Sequence, residues 1–83
     1  MSVYRIDRPE EAVREVQRYL RAVSYLLEGV PHIGIDGIYG EETAKALRAF
    51  QVLRALPPTG VADGETFALL YRDFLRVPRR GER

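Results

Sequence analysis

Apolar residues recur in three stretches of the chain at the spacings of three and four that are typical of one helix face. The pattern predicts helices from about Pro9 to Leu27, from Glu41 to just before Leu56, and from Asp63 to just before Pro78. The stripe of the first helix consists of Val13, Val16, Leu20, Val23 and Leu27. Three helical segments over most of the chain indicate an all-α fold.

The ends of these helices carry ordinary start and stop signals. Asp7 is placed to cap the first helix, with Glu10 three residues on as in a capping box. Gly29 and Pro31 indicate where that helix stops, and Asp63 is an N-cap for the third helix. These signals predict a domain over residues 9–77, preceded by an extension at 1–8 and followed by a polar tail at 78–83.

The segment between the first two helices is a loop that is unusually rich in isoleucine. Three glycines punctuate it, and it carries Ile33, Ile35 and Ile38. Because leaving large apolar side chains in water forfeits the free energy of their burial, we expect these residues to pin the loop to the core.

Two segments, residues 36–47 and 59–70, align without gaps and form an internal repeat. Its matched pairs are Gly37 with Gly60, Ile38 with Val61, Glu42 with Glu65, Thr43 with Thr66, and Leu47 with Leu70. Each copy predicts a glycine turn, one buried aliphatic residue, a helix start and a hydrogen-bonding threonine in the first turn. A weaker similarity lies upstream, where Val16-Gln17 resembles Phe50-Gln51.

The bulk composition excludes several classes of protein. The chain has 83 residues, a net charge of +1 and no cysteine. We therefore expect one domain, with no disulfide, no Cys-ligated zinc site and no global field that would drive it onto nucleic acid or membrane. Residues 1–6 lack the apolar core of a signal peptide, which predicts either a cytoplasmic protein or a domain of a longer exported chain.

The chain lacks the residues of a catalytic centre. Its one histidine is His32, its serines are Ser2 and Ser24, and the carboxylates of Glu41 and Glu42 diverge at a helix start. We expect no catalytic residue, no metal and no cofactor, and an exposed, inert His32.

The ordered motifs resemble the peptidoglycan-binding domain family of bacterial cell-wall hydrolases. They are Val16-Gln17, the run from Asp36 to Thr43, the run from Ala46 to Gln51, and the run from Leu56 to Leu70. The resemblance covers residues 9–74, and departs from the family at a longer loop over residues 28–34 and at Arg54-Ala55-Leu56. It implies a small three-helix bundle that contains the repeated glycine loop–helix unit, and a non-catalytic module that binds peptidoglycan through its glycan or its stem peptide. It also implies that the module targets an attached wall hydrolase, at the cell wall or outside the cell. We expect the module to be a monomer.

Six residues are candidates for ligand binding: Asp36, Gly37, Tyr39, Gly40, Arg48 and Gln51. Asp36 fits an acceptor for sugar hydroxyls or peptide amides, but an Asx turn is favoured because Asp-Gly is a turn pair. Tyr39 fits a sugar-stacking ring as well as it fits a core residue. Gln51 is favoured as a bond to loop backbone rather than as a ligand contact.

Three basic residues, Arg48, Arg54 and Lys45, fall on the outer part of the second helix. Guanidinium groups suit the carboxylates of a wall ligand, although a solvated face is the favoured interpretation. The alternative function is a protein-interaction or pro-segment scaffold. It would be indicated by an exposed apolar patch, for which the candidates are Tyr25, Leu26 and Val30, or Tyr71 and Leu75.

Overall fold

The three predicted helices are present in the structure, a computed structural model that describes residues 9–78. Helix α1 spans Pro9–Ser24, α2 spans Glu41–Leu53, and α3 spans Gly64–Phe74. Helix α1 packs against both of the others, and the described residues contain no strand, so the all-α prediction is confirmed. The predicted Asp7 cap, the extension at 1–8 and most of the tail lie outside the described residues.

Helices α1 and α3 each end three residues earlier than the pattern predicts. After Ser24 the chain turns through residues 25–29. The Ser24 hydroxyl donates a hydrogen bond to the Arg21 carbonyl at 2.6 Å. After Phe74 the bonding tightens to a three-residue step, with the amide of Val77 donating to the carbonyl of Phe74. Such tightening satisfies the last carbonyls of a helix without extending it.

The core lies between α1 and the other two helices. Its buried apolar residues are Val16, Tyr19, Leu20, Val23, Val30, Ile33, Ala46, Leu47, Phe50 and Leu70. The Tyr19 ring lies 4.4 Å from the Phe74 ring and 5.7 Å from the Phe67 ring, centroid to centroid, which joins α1 to α3. Rings at these separations attract one another beyond the area that they bury.

The predicted burial of the loop isoleucines is wrong for two of three residues. Ile33 is buried, but Ile35 is 41% exposed and Ile38 is 67% exposed. Val61, the repeat partner of Ile38, is 60% exposed, so the repeated aliphatic residue belongs to the surface in both copies. The loops are held by hydrogen bonds from buried glutamines instead of by aliphatic anchors.

The predicted surface patches also need one correction. Tyr25, Leu26, Tyr71 and Leu75 are exposed, but Val30 is buried. The chain turns back at Gly29, which has a positive φ of 102°, and this reversal carries Val30 under the end of α1 and into the core.

Candidate functional site

Gln17 on α1 holds the first glycine loop, residues 36–40. Its Oε1 accepts from the backbone amides of Asp36 and Gly37 at 3.0 and 2.9 Å. Its amide nitrogen shares two protons among Asp36 Oδ1, the Ile38 carbonyl and Thr43 Oγ1, at 2.9–3.0 Å. Since Gln17 is 1% exposed, these bonds are shielded from water and fix the loop on the helix.

Gln51 on α2 holds the second glycine loop, residues 59–63, in the same way. Its Oε1 accepts from the Gly60 amide at 2.9 Å, and its amide nitrogen lies 3.0–3.2 Å from Thr59 Oγ1, the Val61 carbonyl and Thr66 Oγ1. The favoured interpretation of Gln51 as a bond to loop backbone is therefore confirmed. The residue is fully buried, so its amide does not reach the surface.

Asp36 and Thr59 occupy the same position in the two loops. Asp36 Oδ1 accepts from the Ile38 amide at 2.9 Å, and Thr59 Oγ1 accepts from the Val61 amide at 3.1 Å. The predicted Asx turn is confirmed. The hydrogen bonds from the Ile38 amide and then from Gln17 hold the pKa of the Asp36 carboxyl below its usual value, because they stabilise the charged form.

Each loop turns at a glycine in the left-handed region. Gly37 has φ +80° and Gly60 has φ +77°. A Cβ at Gly37 would lie 3.0 Å from Arg14 Nε, and one at Gly60 would lie 3.1 Å from Arg48 Nη1. The arginine thus lies across the bare face of the glycine in both copies, and a larger residue would be both strained and crowded.

The two helix starts that follow the loops differ in their caps. Asp63 Oδ1 accepts from the Thr66 amide at 2.9 Å, as predicted for an N-cap, and this bond lowers the pKa of the Asp63 carboxyl. Gly40, its counterpart before α2, provides no side-chain cap and has open space around it. The threonines Thr43 and Thr66 are helix-start hydrogen bonders, as predicted, and they bond the buried glutamines.

Tyr39 connects the two loops. Its hydroxyl donates to the Gly60 carbonyl at 2.5 Å, and 39% of the residue remains exposed. Burial raises the pKa of the Tyr39 hydroxyl, and the nearby Arg48 charge opposes that rise. The hydroxyl is therefore a neutral donor at physiological pH, and the ring keeps one side open.

The open side of Tyr39 faces a groove of about 430 Å³. The groove lies between the N-terminal half of α1 and the start of α3, and is lined by Ala12, Val13, Val16, Tyr39, Val61, Ala62 and Phe67. Of the predicted site residues, only Tyr39 lines it. The sequence predicts a shallow groove between the loop over residues 34–40, the start of the second helix and an adjacent helix face, and Tyr39 is common to that prediction and to the observed groove. Val13 and Val16 were expected in the core and Val61 in a buried position, so the walls that they form were not predicted. The alanine at position 62, which the repeat aligns with Tyr39, was the available signal.

Arg48 lies against Gly60, next to the groove residue Val61, and is not itself one of the residues that line the groove. Its Nη2 pairs with Glu41 Oε2 at 2.7 Å, and the side chains are 38% and 78% exposed. The structure thus brings Tyr39, Arg48 and the start of α2 together around the second loop. Asp36 and Gly37 lie instead on the side of the first loop that faces Arg14.

Arg54 is not part of a solvated face, so that interpretation was wrong for this residue, while Lys45 is exposed. Arg54 Nε pairs with Asp73 Oδ2 at 2.7 Å, and the Asp73 side chain is 2% exposed. The other oxygen, Asp73 Oδ1, has no hydrogen bond, since Arg72 Nε is 3.8 Å away. A buried carboxylate requires a cation beside it, which accounts for the inward position of Arg54.

His32 is exposed, as predicted, but it does have partners. Its ring stacks on Tyr25 with centroids 4.4 Å apart, and its Nδ1 lies 2.5 Å from Ser24 Oγ. The Ser24 hydroxyl also donates to the Arg21 carbonyl at 2.6 Å, so the serine, the histidine and the tyrosine form one cluster at the end of α1.

The amino-acid sequence is similar to one protein family and to several known proteins. The family model described as "Putative peptidoglycan binding domain" matches residues 9–70. The N-acetylmuramoyl-L-alanine amidase CwlL of Bacillus licheniformis is 33% identical over 72 residues, which are 82% of this chain and 20% of the amidase. A second protein of that organism, named "Probable N-acetylmuramoyl-L-alanine amidase", is 34% identical over 70 residues, 80% of this chain and 20% of the relative.

A third relative has a different kind of name. The "Putative OxPP cycle protein OpcA" of Nostoc punctiforme is 45% identical over 47 residues, 57% of this chain and 10% of that protein. The chain thus spans about a fifth of the length of the amidases that it matches.

No solved structure gives a significant match. Over residues 9–78, no helix is long and apolar enough to cross a membrane, and no group of three or more potential ligands could hold a metal ion.

Proposed function

Since the chain belongs to the peptidoglycan-binding domain family, we propose that it is a non-catalytic module that binds peptidoglycan and holds a wall hydrolase against its substrate. The observation that carries this proposal is the family match over residues 9–70, joined to two relatives named as amidases of the N-acetylmuramoyl–L-alanine bond. On this proposal the module works at the cell wall or outside the cell, as part of an exported polypeptide.

The groove beside Tyr39 is the site that we assign to the ligand. It is concave and largely apolar, with a partly exposed tyrosine ring in its wall, and the Arg48 side chain lies against Gly60, one residue before the wall residue Val61. Apolar walls with a few polar groups nearby are typical of ligand pockets. Of the predicted residues, Tyr39 and Arg48 are retained as ligand contacts. Gly40 is retained as open backbone at the start of α2. Asp36, Gly37 and Gln51 are assigned to loop structure, because their polar atoms bond the loops.

A non-catalytic role is supported by the surroundings of Ser24 and His32. The serine hydroxyl donates to a backbone carbonyl, and the histidine ring stacks on Tyr25. Activity on the wall is therefore assigned to another part of a parent protein. A single shallow groove predicts weak binding, on the order of 10⁻⁵ to 10⁻³ M, that relies on a dense wall or on more than one module.

Sedimentation with purified sacculi tests the proposal. We expect the wild type to sediment with sacculi, and Tyr39→Ala to remain mostly in the supernatant. Tyr25→Ala is the matched control, because Tyr25 is an exposed tyrosine about three helical turns from the groove. A wild type that stays in the supernatant, or a Tyr39→Ala variant that sediments as well as Tyr25→Ala, contradicts the proposal.

A second candidate is a protein-interaction scaffold. Exposed apolar side chains gather where α1 and α2 end, namely Tyr25, Leu26, Val52 and Leu53. Leu53 lies beside the turn after α1, since its Cδ1 is 4.0 Å from the Cβ position of Gly29. The match to a relative that is not named as an amidase also supports this candidate. Light scattering after size-exclusion chromatography tests one form of it: self-association that Leu53→Gln abolishes supports the scaffold, and a strict monomer counts against it.

A further inference from the structure

The walls of the groove are almost entirely apolar, which favours apolar ligand groups over sugar hydroxyls. Among its lining residues only Tyr39 has a polar side-chain atom, and that hydroxyl already donates to the Gly60 carbonyl. A sugar presents hydroxyls around its whole rim, and a site that reads them needs several fixed polar side chains. Alanine methyl groups need only apolar walls of the kind that Val13, Val61 and Ala62 provide.

The ligand class contains both kinds of chemistry. The bond named in two relatives joins N-acetylmuramic acid to L-alanine, so the polymer has a glycan half and a peptide half. The peptide half carries methyl groups and free carboxylates close together along a short chain. An apolar groove with a cation at its border is complementary to that half.

Arg48 is the cation in question. Its guanidinium lies across Gly60, whose carbonyl bonds Tyr39 and whose next two residues line the groove. A guanidinium presents a fork of donors that matches the two oxygens of a carboxylate. In this structure a carboxylate already occupies one arm of that fork, because Glu41 Oε2 lies 2.7 Å from Arg48 Nη2.

The Glu41–Arg48 pair can be exchanged at small cost. Glu41 is 78% exposed, and ion pairs of this kind contribute little to stability. Glu41 is also the first residue of α2, where the helix dipole favours a negative charge whether or not the side chain is paired. Releasing it from Arg48 therefore leaves it in a favourable place.

We propose that the groove binds the stem peptide of peptidoglycan, with an alanine methyl against the apolar walls and a peptide carboxylate replacing Glu41 on Arg48. This inference rests on the proposed function. It makes Glu41 an internal competitor for the ligand, which occupies the guanidinium while the groove is empty.

The test uses two peptides that differ at one carboxylate. N-acetyl-L-alanyl-D-glutamate γ-methylamide has a free α-carboxylate, and its α-carboxamide does not. Binding to the full chain is followed through the backbone amide signals of Gly60 and Val61 in ¹H–¹⁵N NMR titrations. We expect the free acid to bind more tightly than the amide. Arg48→Met, which keeps the aliphatic stem across Gly60, is expected to abolish that difference.

Removing the competitor gives the decisive result. We expect Glu41→Gln to tighten binding of the acid by about two- to fivefold, the size of an exposed ion pair, and to leave the amide unchanged. Glu42→Gln is the matched control, since it removes the same charge from the same helix turn but not from Arg48. Equal tightening by both variants would show a general charge effect and would overturn the proposal.

Two further outcomes separate this inference from the proposed function. If sacculi retain the wild type but N,N′-diacetylchitobiose shifts the groove signals and the peptides do not, the module reads glycan and only this inference fails. If sacculi do not retain the wild type, the proposed function fails with it. Melting temperatures of all variants, measured beforehand, show that each one is folded.

Discussion

Gln17 and Gln51 make the same hydrogen bonds to two different loops. Each accepts from the amide of the loop glycine and donates to a loop carbonyl, a turn-forming side chain and a threonine in the next helix. Both side chains are buried, at 1% and 0% exposure. One amide thus satisfies several groups that burial would otherwise leave without a partner, and the fold uses this arrangement twice.

Replacing either glutamine by an apolar residue of similar size should be strongly destabilising. Gln51→Leu leaves the buried Gly60 amide and the Thr66 hydroxyl without their hydrogen bonds to the glutamine, whereas the Val61 carbonyl keeps its bond from the Asp63 amide at 3.0 Å. We expect the free energy of unfolding to fall by about 2–4 kcal/mol, since each unsatisfied buried group costs about 1–3 kcal/mol. Urea unfolding followed by circular dichroism measures this. Val52→Gln on the exposed face of α2 is the control, and a loss below about 1 kcal/mol for Gln51→Leu would mean that water replaces the amide.

The loop glycines should divide into two classes when each is changed to alanine. Gly37→Ala and Gly60→Ala place a Cβ in the left-handed region and against an arginine side chain. We expect each to lower the free energy of unfolding by about 1–2 kcal/mol. Gly34→Ala is the control, because it has no positive φ and no atom within 4 Å of its Cβ position. Equal losses at Gly34 and Gly60 would disprove this account of the turns.

Asp36→Thr should remove an acid sensitivity while keeping the loop. Thr59 makes the same turn in the second copy without a charge, so the first loop should accept threonine. The folded-state pKa of Asp36 is lowered from 3.8, so its contribution to stability is present above about pH 4 and is lost as the pH falls through the lower folded-state value. Thermal melts from pH 7 to pH 2 should therefore show a shallower acid loss for Asp36→Thr than for the wild type. Parallel curves for the two proteins would contradict this.

The Arg54–Asp73 pair should be more costly to break than to replace. Removing Arg54 alone, as Arg54→Leu, leaves a buried carboxylate without its cation and should cost about 2–3 kcal/mol, at the low end for buried pairs because Arg54 is partly exposed. The double variant Arg54→Leu/Asp73→Leu should recover most of that loss. The other helices support this expectation, since Leu20 stands at the position of Arg54, and Val16 and Phe50 stand at that of Asp73. A double-mutant cycle by urea unfolding measures the coupling, and additive losses would refute it.

The sequence was sufficient for the helices and the repeat, because both depend on local patterns. Helix periodicity, the Asp63 cap and the glycine turns are all encoded within a few residues of where they act. Gln51 was also assigned correctly, since a polar residue on a core-facing edge needs a partner nearby.

The position of the groove could not be predicted, because it depends on how far apart three segments lie. Val13 and Val16 have the spacing of core residues, but α3 leaves a gap beside them that Tyr39 and Val61 border. The exposure of Ile38 and Val61 was missed for a related reason. Periodicity identifies apolar residues, but in an irregular loop it does not indicate which of them face water.

The ion pair between Arg54 and Asp73 could not be predicted from the spacing of apolar residues either. Arg54 directly follows α2 and Asp73 lies on α3, and an arginine at the end of a helix is ordinarily solvated. Only the burial of Asp73, at 1% exposure, shows that a cation is required there.

The glutamine arrangement has a further consequence for the length of the domain. Each glutamine bonds the loop that leads into the next helix. A helix with such a glutamine and the loop that it holds form a unit that can be repeated along a chain, as in repeat proteins. On α3 the equivalent position is Phe74, whose ring packs 4.4 Å from that of Tyr19 on α1. An aromatic ring there cannot hydrogen-bond a loop, and it packs against the first helix. Within residues 9–78 the glutamine–loop unit therefore occurs twice, and aromatic contacts between the third helix and the first complete the bundle.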